Sequence, residues 1–317
     1  MKKLLLLSLI IGNIAFAAPA KKVALLISNK SNEFFSILEK SFIQEAEKKG
    51  YKVDVYDAAN DATKQPSQIE DAIVKGSSAI IINPLNKDAT EGVLNDAVSR
   101  DIPIITVDTT VEGVELLADV ATDNEDGGKF AAQWIVKKSK INPDEIKGII
   151  HMGGIDGHTA HISRYKGFKD YLQSKEAGEK WNAIAKNPSK YIELTGNFAQ
   201  DVAQTVLESK LSALDPKGKY IIYNENDVMA IGSIGAIQND KRFNLNNFTI
   251  IGFDGSSEGK KLVDEKKMAI TVVQDFEFIG KEAAVIMDNY LKNKAKPSTV
   301  KQAVEVIMYP ENQNPRK

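Results

Sequence analysis

The sequence predicts an α/β protein built as two doubly wound parallel-sheet lobes with a cleft between them, and three observations support this. Short, nearly continuous runs of branched apolar residues recur along the chain, as strands buried on both faces require. An amphipathic helical segment follows most of these runs, so the repeating unit is strand then helix. Such units are too numerous for one open sheet, and the series restarts after Asp123. A TIM barrel is the competing α/β reading. It wants eight regular units, and the restart argues against it.

In the first series, Val23–Ile27 is a strand that ends in the polar turn Ser28–Glu33. Phe34 and Phe35 then open a helix on which Ile37, Leu38, Phe42 and Ala46 recur at helical spacing. Val53–Tyr56, Ala79–Ile82 and Ile104–Val107 read as strands, with helices over Gln68–Lys75 and Ala89–Ser99. Leu116–Val120 reads as a further strand, placed at an edge. The second series opens with a helix around Phe130–Val136, its start rich in acidic residues that suit a helix N-terminus. Gly148–His151 is a strand running into the glycine-rich turn Gly153–Gly157, followed by a helix from Ala160 to Leu172. Lys175–Lys190 reads as an irregular surface insertion. Tyr191–Leu194, Tyr220–Tyr223, Phe248–Phe253 and Ile270–Val273 are strands, with helices over Ala199–Leu211, Met229–Gln238 and Ala283–Leu291. Val304–Met308 reads as the closing strand.

The 317 residues suffice for two ordinary domains. Met1–Ala17 has a basic start, an apolar stretch at Leu4–Ile11 and the small-x-small site Ala15-Phe16-Ala17, the pattern of a cleaved secretory leader. Losing Lys2 and Lys3 with it takes the formal net charge from −2 to −4, which offers nothing to nucleic acid. Without any Cys there is no lipid-anchoring cysteine and no disulfide framework. The expectation is a free, soluble, monomeric periplasmic protein.

Polar residues collect at the carboxyl ends of the strands, where open α/β sheets bind ligands. They are Asn32, Asn83, Asp108, Asn226, Asp254 and Gln274. Asn supplies donors and acceptors, and a carboxylate accepts from two neighbouring hydroxyls, so the set suits a polyhydroxylated ligand. Phe34, Phe35 and Phe198 would cover the C–H face of such a ring, and the forked donors of Arg164 would bridge two hydroxyls. Each residue also has a structural reading. Asn and Asp after strands cap helices, with Asp227 ahead of its helix the clearest case. Asn83 precedes Pro84, the phenylalanines suit a core, and Arg164 suits a surface ion pair. His158 and His161 stand i, i+3 near Asp156, which permits a metal site, but His151 lies in a strand and no further ligand is apparent. Asp156 would repel an anion from the glycine-rich turn. No nucleophile motif, zinc motif or phosphate loop is present, so neither an enzyme nor a cofactor is expected.

Several segments then match one family. SNEFF after the first strand, IINP at Ile81–Pro84, ITVD at Ile105–Asp108, ATDNEDGGK at Ala121–Lys129, NENDVMAIG at Asn224–Gly232 and IIGFDG at Ile250–Gly255 resemble the ribose-binding-like periplasmic sugar-binding proteins of ABC transporters. The resemblance runs in order through the mature chain. It implies two Rossmann-like lobes joined by a three-crossing hinge, with crossings near Thr122–Asp123, Gln274–Asp275 and Lys301–Ala303. The N-terminal lobe would comprise residues 18–122 and 275–302, and the C-terminal lobe 123–274 and 303–317. It also implies that ligand contacts fall on Asn32, Phe34, Phe35, Asn83, Asp108, Arg164, Phe198, Asn226, Asp254 and Gln274. The implied partners are a small sugar or polyol and an ABC permease, with a chemoreceptor or sensor kinase as the alternative. The chain departs from the pattern at Thr109, where ribose binders carry an arginine, and at Glu33, which replaces a proline. The segment 175–190 and the histidines at 158 and 161 are also foreign to it. The identity of the sugar or polyol, including a signalling furanose, stays open.

Overall fold

The computed structural model describes residues 21–315. The expected leader, Met1–Ala17, lies outside them. The first lobe contains β1 (Lys22–Ile27), α1 (Glu33–Lys48), β2 (Lys52–Asp57), α2 (Lys64–Val74), β3 (Ile80–Ile82), α3 (Lys87–Ser99), β4 (Ile104–Val107) and β5 (Ala118–Thr122). The second contains α4 (Asn124–Lys137), β6 (Ile146–Gly153), α5 (Thr159–Leu172), α6 (Glu179–Lys186), β7 (Tyr191–Thr195), α7 (Gln200–Leu211), β8 (Lys219–Asn224), α8 (Asp227–Asn239), β9 (Phe248–Asp254), α9 (Ser257–Asp264) and β10 (Ile270–Val273). The chain then returns through α10 (Phe276–Asn293), β11 (Lys301–Val304) and β12 (Ile307–Tyr309).

Each lobe has one six-stranded sheet, ordered β2-β1-β3-β4-β5-β11 in the first and β7-β6-β8-β9-β10-β12 in the second. All neighbours run parallel except β10 and β12. Two open sheets replace the barrel alternative. The strands are apolar on both faces because helices cover both: β1 is buried from Val23 onward and β3 throughout. The sheet order reverses between β1 and β3 in one lobe and between β6 and β8 in the other. In a doubly wound sheet that crevice is where ligands sit.

Four expectations are corrected. The strand read as Leu116–Val120 runs Ala118–Thr122 and is interior, between β4 and β11. Asp119 breaks its apolar run, but the carboxylate accepts from Thr106 Oγ1 at 2.8 Å and is buried. The closing strand read as Val304–Met308 is two strands, one in each sheet. The last crossing therefore falls after Val304 and not near Lys301–Ala303. Lys175–Lys190 is not an irregular surface insertion, because it holds α6, whose Trp181, Ile184 and Ala185 are buried at helical spacing. Helix α9 was not foreseen. Its apolar content is small, and Ser256 caps it through Gly259 N.

Candidate ligand-binding site

The carboxyl ends of β1 and β4 face those of β6, β8 and β9 across a cavity of about 280 Å³. It is lined by Asn32, Phe34, Phe35 and Asp108 from the first lobe, by Arg164, Phe198, Asn226 and Asp254 from the second, and by Gln274 where the chain crosses back. Nine of the ten expected residues thus share one cavity. Asn83 is the exception, since it does not line the cavity. It is fully buried, and its Nδ2 donates to Asp108 Oδ2 at 3.1 Å and to Thr109 Oγ1 at 2.8 Å. A larger hollow of about 570 Å³ runs along α4 and α5, but of the expected residues only Asp108 touches it. The smaller cavity, which nine of the expected residues line from both lobes, is the candidate site.

Local chemistry explains the placements. Asn32 and Asn226 cap α1 and α8, each Oδ1 accepting a backbone N–H of its own helix. Capping and site-lining are therefore compatible, and the Nδ2 groups carry the remaining donors. Asp227 does not cap α8. It lies buried one position later, where it accepts from Thr271 Oγ1 at 2.7 Å and Ser256 N at 2.8 Å and so braces the start of α9. Phe34 and Phe35 belong to the first lobe's core and also line the cavity, with Phe34 packed between Phe35 and Phe276. Asp108, Phe198 and Asp254 have φ of 65°, 54° and 112°. Non-glycine residues avoid that region, and such strain concentrates at ligand sites.

Arg164 is buried, which overrides its reading as a surface ion pair. Its Nε donates to Asn124 Oδ1 at 2.8 Å and its Nη1 to the Glu225 carbonyl at 2.5 Å. The guanidinium lies 3.8 Å from the Phe253 ring centroid and 3.8 Å from Asp254 Oδ1. Close packing of α4 on α5 puts it there. A Cβ on Gly167 would stand 1.9 Å from Glu125 O, and one on Gly128 would stand 2.1 Å from Arg164 O.

Burial pushes the Asp108 carboxyl up to about 6, although Arg164 and the Asn83 hydrogen bond pull the other way. Burial likewise raises Asp254 well above the usual carboxylate range, against the opposing pull of Arg164. Gln274 Nε2 donates to Asp254 at 2.7 Å. Asp108 Oδ1, Gln274 Oε1 and His158 Nδ1 are buried without a hydrogen-bond partner. Thr109 lies outside the cavity, its hydroxyl donating to Pro84 O at 3.0 Å.

Ser28, Asn29, Asn60, Leu85, His158 and Gln200 also line the cavity and were not singled out as ligand contacts. Ser28 and Asn29 stand in the turn after the first strand and could have been flagged by position. Asn60 and Gln200 carry no such signal. The two histidines that suggested a metal are engaged apart: His161 meets the Glu225 carboxylate at 2.8 Å, and His158 packs against Phe198. Burial works to raise Glu225, but hydrogen bonds from His151 and His161 outweigh it and hold the group below its ordinary value. That carboxylate also accepts from Gly154 N at 2.9 Å, which pins the glycine-rich turn to the end of β8.

Residues 23–295 match the family model described as a periplasmic binding protein domain. The chain is 31% identical over 291 residues to the ribose import binding protein RbsB of Haemophilus influenzae, covering 92% of each chain. The chain belongs to the ribose-binding-like periplasmic binding protein family. It is also 30% identical over 272 residues to the Escherichia coli ribose import binding protein RbsB, covering 86% of this chain and 85% of that one. Among solved structures, the Caulobacter myo-inositol binding protein bound to myo-inositol aligns at 27% identity and a TM-score of 0.77, covering 90% of this chain and 91% of the other. A galactofuranose binding protein shares the fold at a TM-score of 0.80 and 20% identity, covering 93% and 96%. These relatives support a solute-binding role.

Proposed function

We propose that this chain is a soluble periplasmic binding protein that captures one small, neutral sugar or polyol in its interlobe cleft and delivers it to an ABC permease. The observation that carries this is hydrogen-bonding capacity without protein partners on residues that line the cleft between the lobes. Asp108 Oδ1, Gln274 Oε1 and His158 Nδ1 are buried and unpartnered, and each such group costs about 1–3 kcal/mol until something pairs with it. The Asn32 and Asn226 amides add donors, and Phe35 and Phe198 add flat apolar faces. That combination suits a hydroxyl-rich ring.

Size and charge narrow the ligand. The cavity, about 280 Å³, is at the small end of ligand pockets, so it suits a monosaccharide or cyclitol and not an oligosaccharide. Two carboxylates face one guanidinium across it, a balance that disfavours sugar phosphates and sugar acids. Thr109 supplies no second cation, so D-ribose is one candidate among several neutral rings. The relatives that import ribose and the structure holding myo-inositol support this class. The mechanism is closure: ligand contacts made by both lobes favour the closed pairing over the open one.

A thermal-shift screen against pentoses, hexoses and cyclitols tests the reading. A ligand at a hundred times its Kd contributes about 2.7 kcal/mol, enough for a shift of several degrees. If no neutral sugar or polyol moves the melting temperature, the assignment fails.

A further inference from the structure

His158 occupies the N-cap position of α5, with φ −76° and ψ 126°, yet its side chain gives the helix no capping hydrogen bond. Asn32, Asn226, Ser256 and Asp275 do cap their helices, a contribution worth about 0.5–2 kcal/mol each. The His158 imidazole is 91% buried, lines the cavity, and lies edge-on to Phe198 with ring centroids 5.1 Å apart. Its Nδ1 is buried and has no partner. A polar atom kept buried, unpaired and off its helix terminus is placed for something that arrives in the cavity.

We propose that His158 is a specificity-determining contact, its Nδ1 hydrogen-bonding one hydroxyl of a neutral sugar or cyclitol whose C–H face lies on Phe198. This rests on the reading of the cleft as a sugar or polyol site. Burial, with Arg164 adding to it, holds the imidazole down to about 4, so the ring is neutral at ordinary periplasmic pH and has a lone pair as well as an N–H to offer. Geometry links the two residues. Because His158 and Phe198 are in contact, the hydroxyl that reaches Nδ1 belongs to the same ring that Phe198 covers. A deoxy analogue lacking that hydroxyl leaves the nitrogen unpaired, and a site built around such a contact rejects the analogue.

The test is calorimetry on wild type, His158→Ala and His158→Asn with D-ribose, D-allose, myo-inositol and their monodeoxy analogues. For the parent compound that wild type binds best, His158→Ala should weaken affinity ten- to hundredfold. One monodeoxy analogue should bind His158→Ala within about twofold of its affinity for wild type, because its partner hydroxyl is already missing. His158→Asn, which retains a hydrogen-bonding side chain, should recover part of the loss. Equal weakening for the parent and every analogue would mark a merely structural role and overturn the proposal, as would no weakening at all. If wild type binds none of these compounds, the reading of the cleft and this proposal fall together. If wild type binds and Asp254→Ala abolishes binding while His158→Ala leaves affinity unchanged, only the His158 proposal falls.

Discussion

Asp108 and Asp254 are buried carboxyls, and Asp108 Oδ1 has no hydrogen-bond partner, which ties binding to pH. Asp108 is raised from 3.8 to about 6. A carboxyl raised on folding stabilises the ligand-free fold fully below its unfolded pKa, and that contribution is lost as pH rises through the folded value. The ligand-free melting temperature should therefore gain from Asp108 on going from pH 7 toward pH 5. Affinity should move the opposite way, since sugar hydroxyls donate to the ionised form and protonation removes that acceptor. Calorimetry with the best-binding panel sugar should show affinity falling severalfold or more between pH 7 and pH 5. Asp108→Asn should flatten that profile, and a wild-type profile that is flat or rises toward acid would refute this role. Asp108, Asn226 and Asp254 were legible in the sequence because each ends an apolar strand with a short polar side chain. Asn83 shared that signal but does not line the cavity, since whether such a group faces the cavity or a neighbour depends on the β3–β4 contact. His158 was obscured because a histidine at a helix start has many readings.

Helix packing positions Arg164, and two glycines set that packing. Gly167→Ala would bring a Cβ within 1.9 Å of the Glu125 carbonyl. Overpacking of this kind costs roughly 1–3 kcal/mol or more, and it would also displace Arg164. Urea denaturation and calorimetry should both register the change, with affinity falling along with stability. Trp181→Ala separates the two effects. Trp181 is 5% exposed within the second lobe's core and does not line the cavity, so its loss should cost about 3–5 kcal/mol with affinity within twofold of wild type. Unchanged stability would mean that α6 is dispensable. The sequence signalled most helices and strands through their apolar periodicity. It failed where that signal was diluted: α6 within a polar stretch, α9 with few apolar residues, and β11 and β12 fused into one run by the alternation of Val304, Val306 and Met308.

The lobes also touch outside the cleft. Glu33, at the start of α1, accepts from Ser257 N at 3.1 Å and from Ser257 Oγ, bridging the first lobe to the N-terminus of α9 in the second. Such a contact exists only while the lobes are together, so it favours the closed pairing. Both partners are exposed, which limits its worth to about 1 kcal/mol. Glu33→Ala should raise Kd about two- to tenfold, and small-angle scattering without ligand should show a more extended average. An unchanged Kd would mean that the contact is incidental. The paired sheets and the carboxyl-end cleft followed from strand and helix periodicity together with the family resemblance. The position of the last crossing did not, since a break such as Glu305 between two apolar residues leaves no compositional mark. Recognition by both lobes at once is what calorimetric titration of D-ribose, D-allose and myo-inositol into wild type, Asp108→Ala and Asp254→Ala would examine. One ligand site per chain in wild type is expected, with affinity lost at least a hundredfold in each variant while the ligand-free melting temperature does not fall. No binding by wild type, or a loss confined to the variant of one lobe, would contradict it.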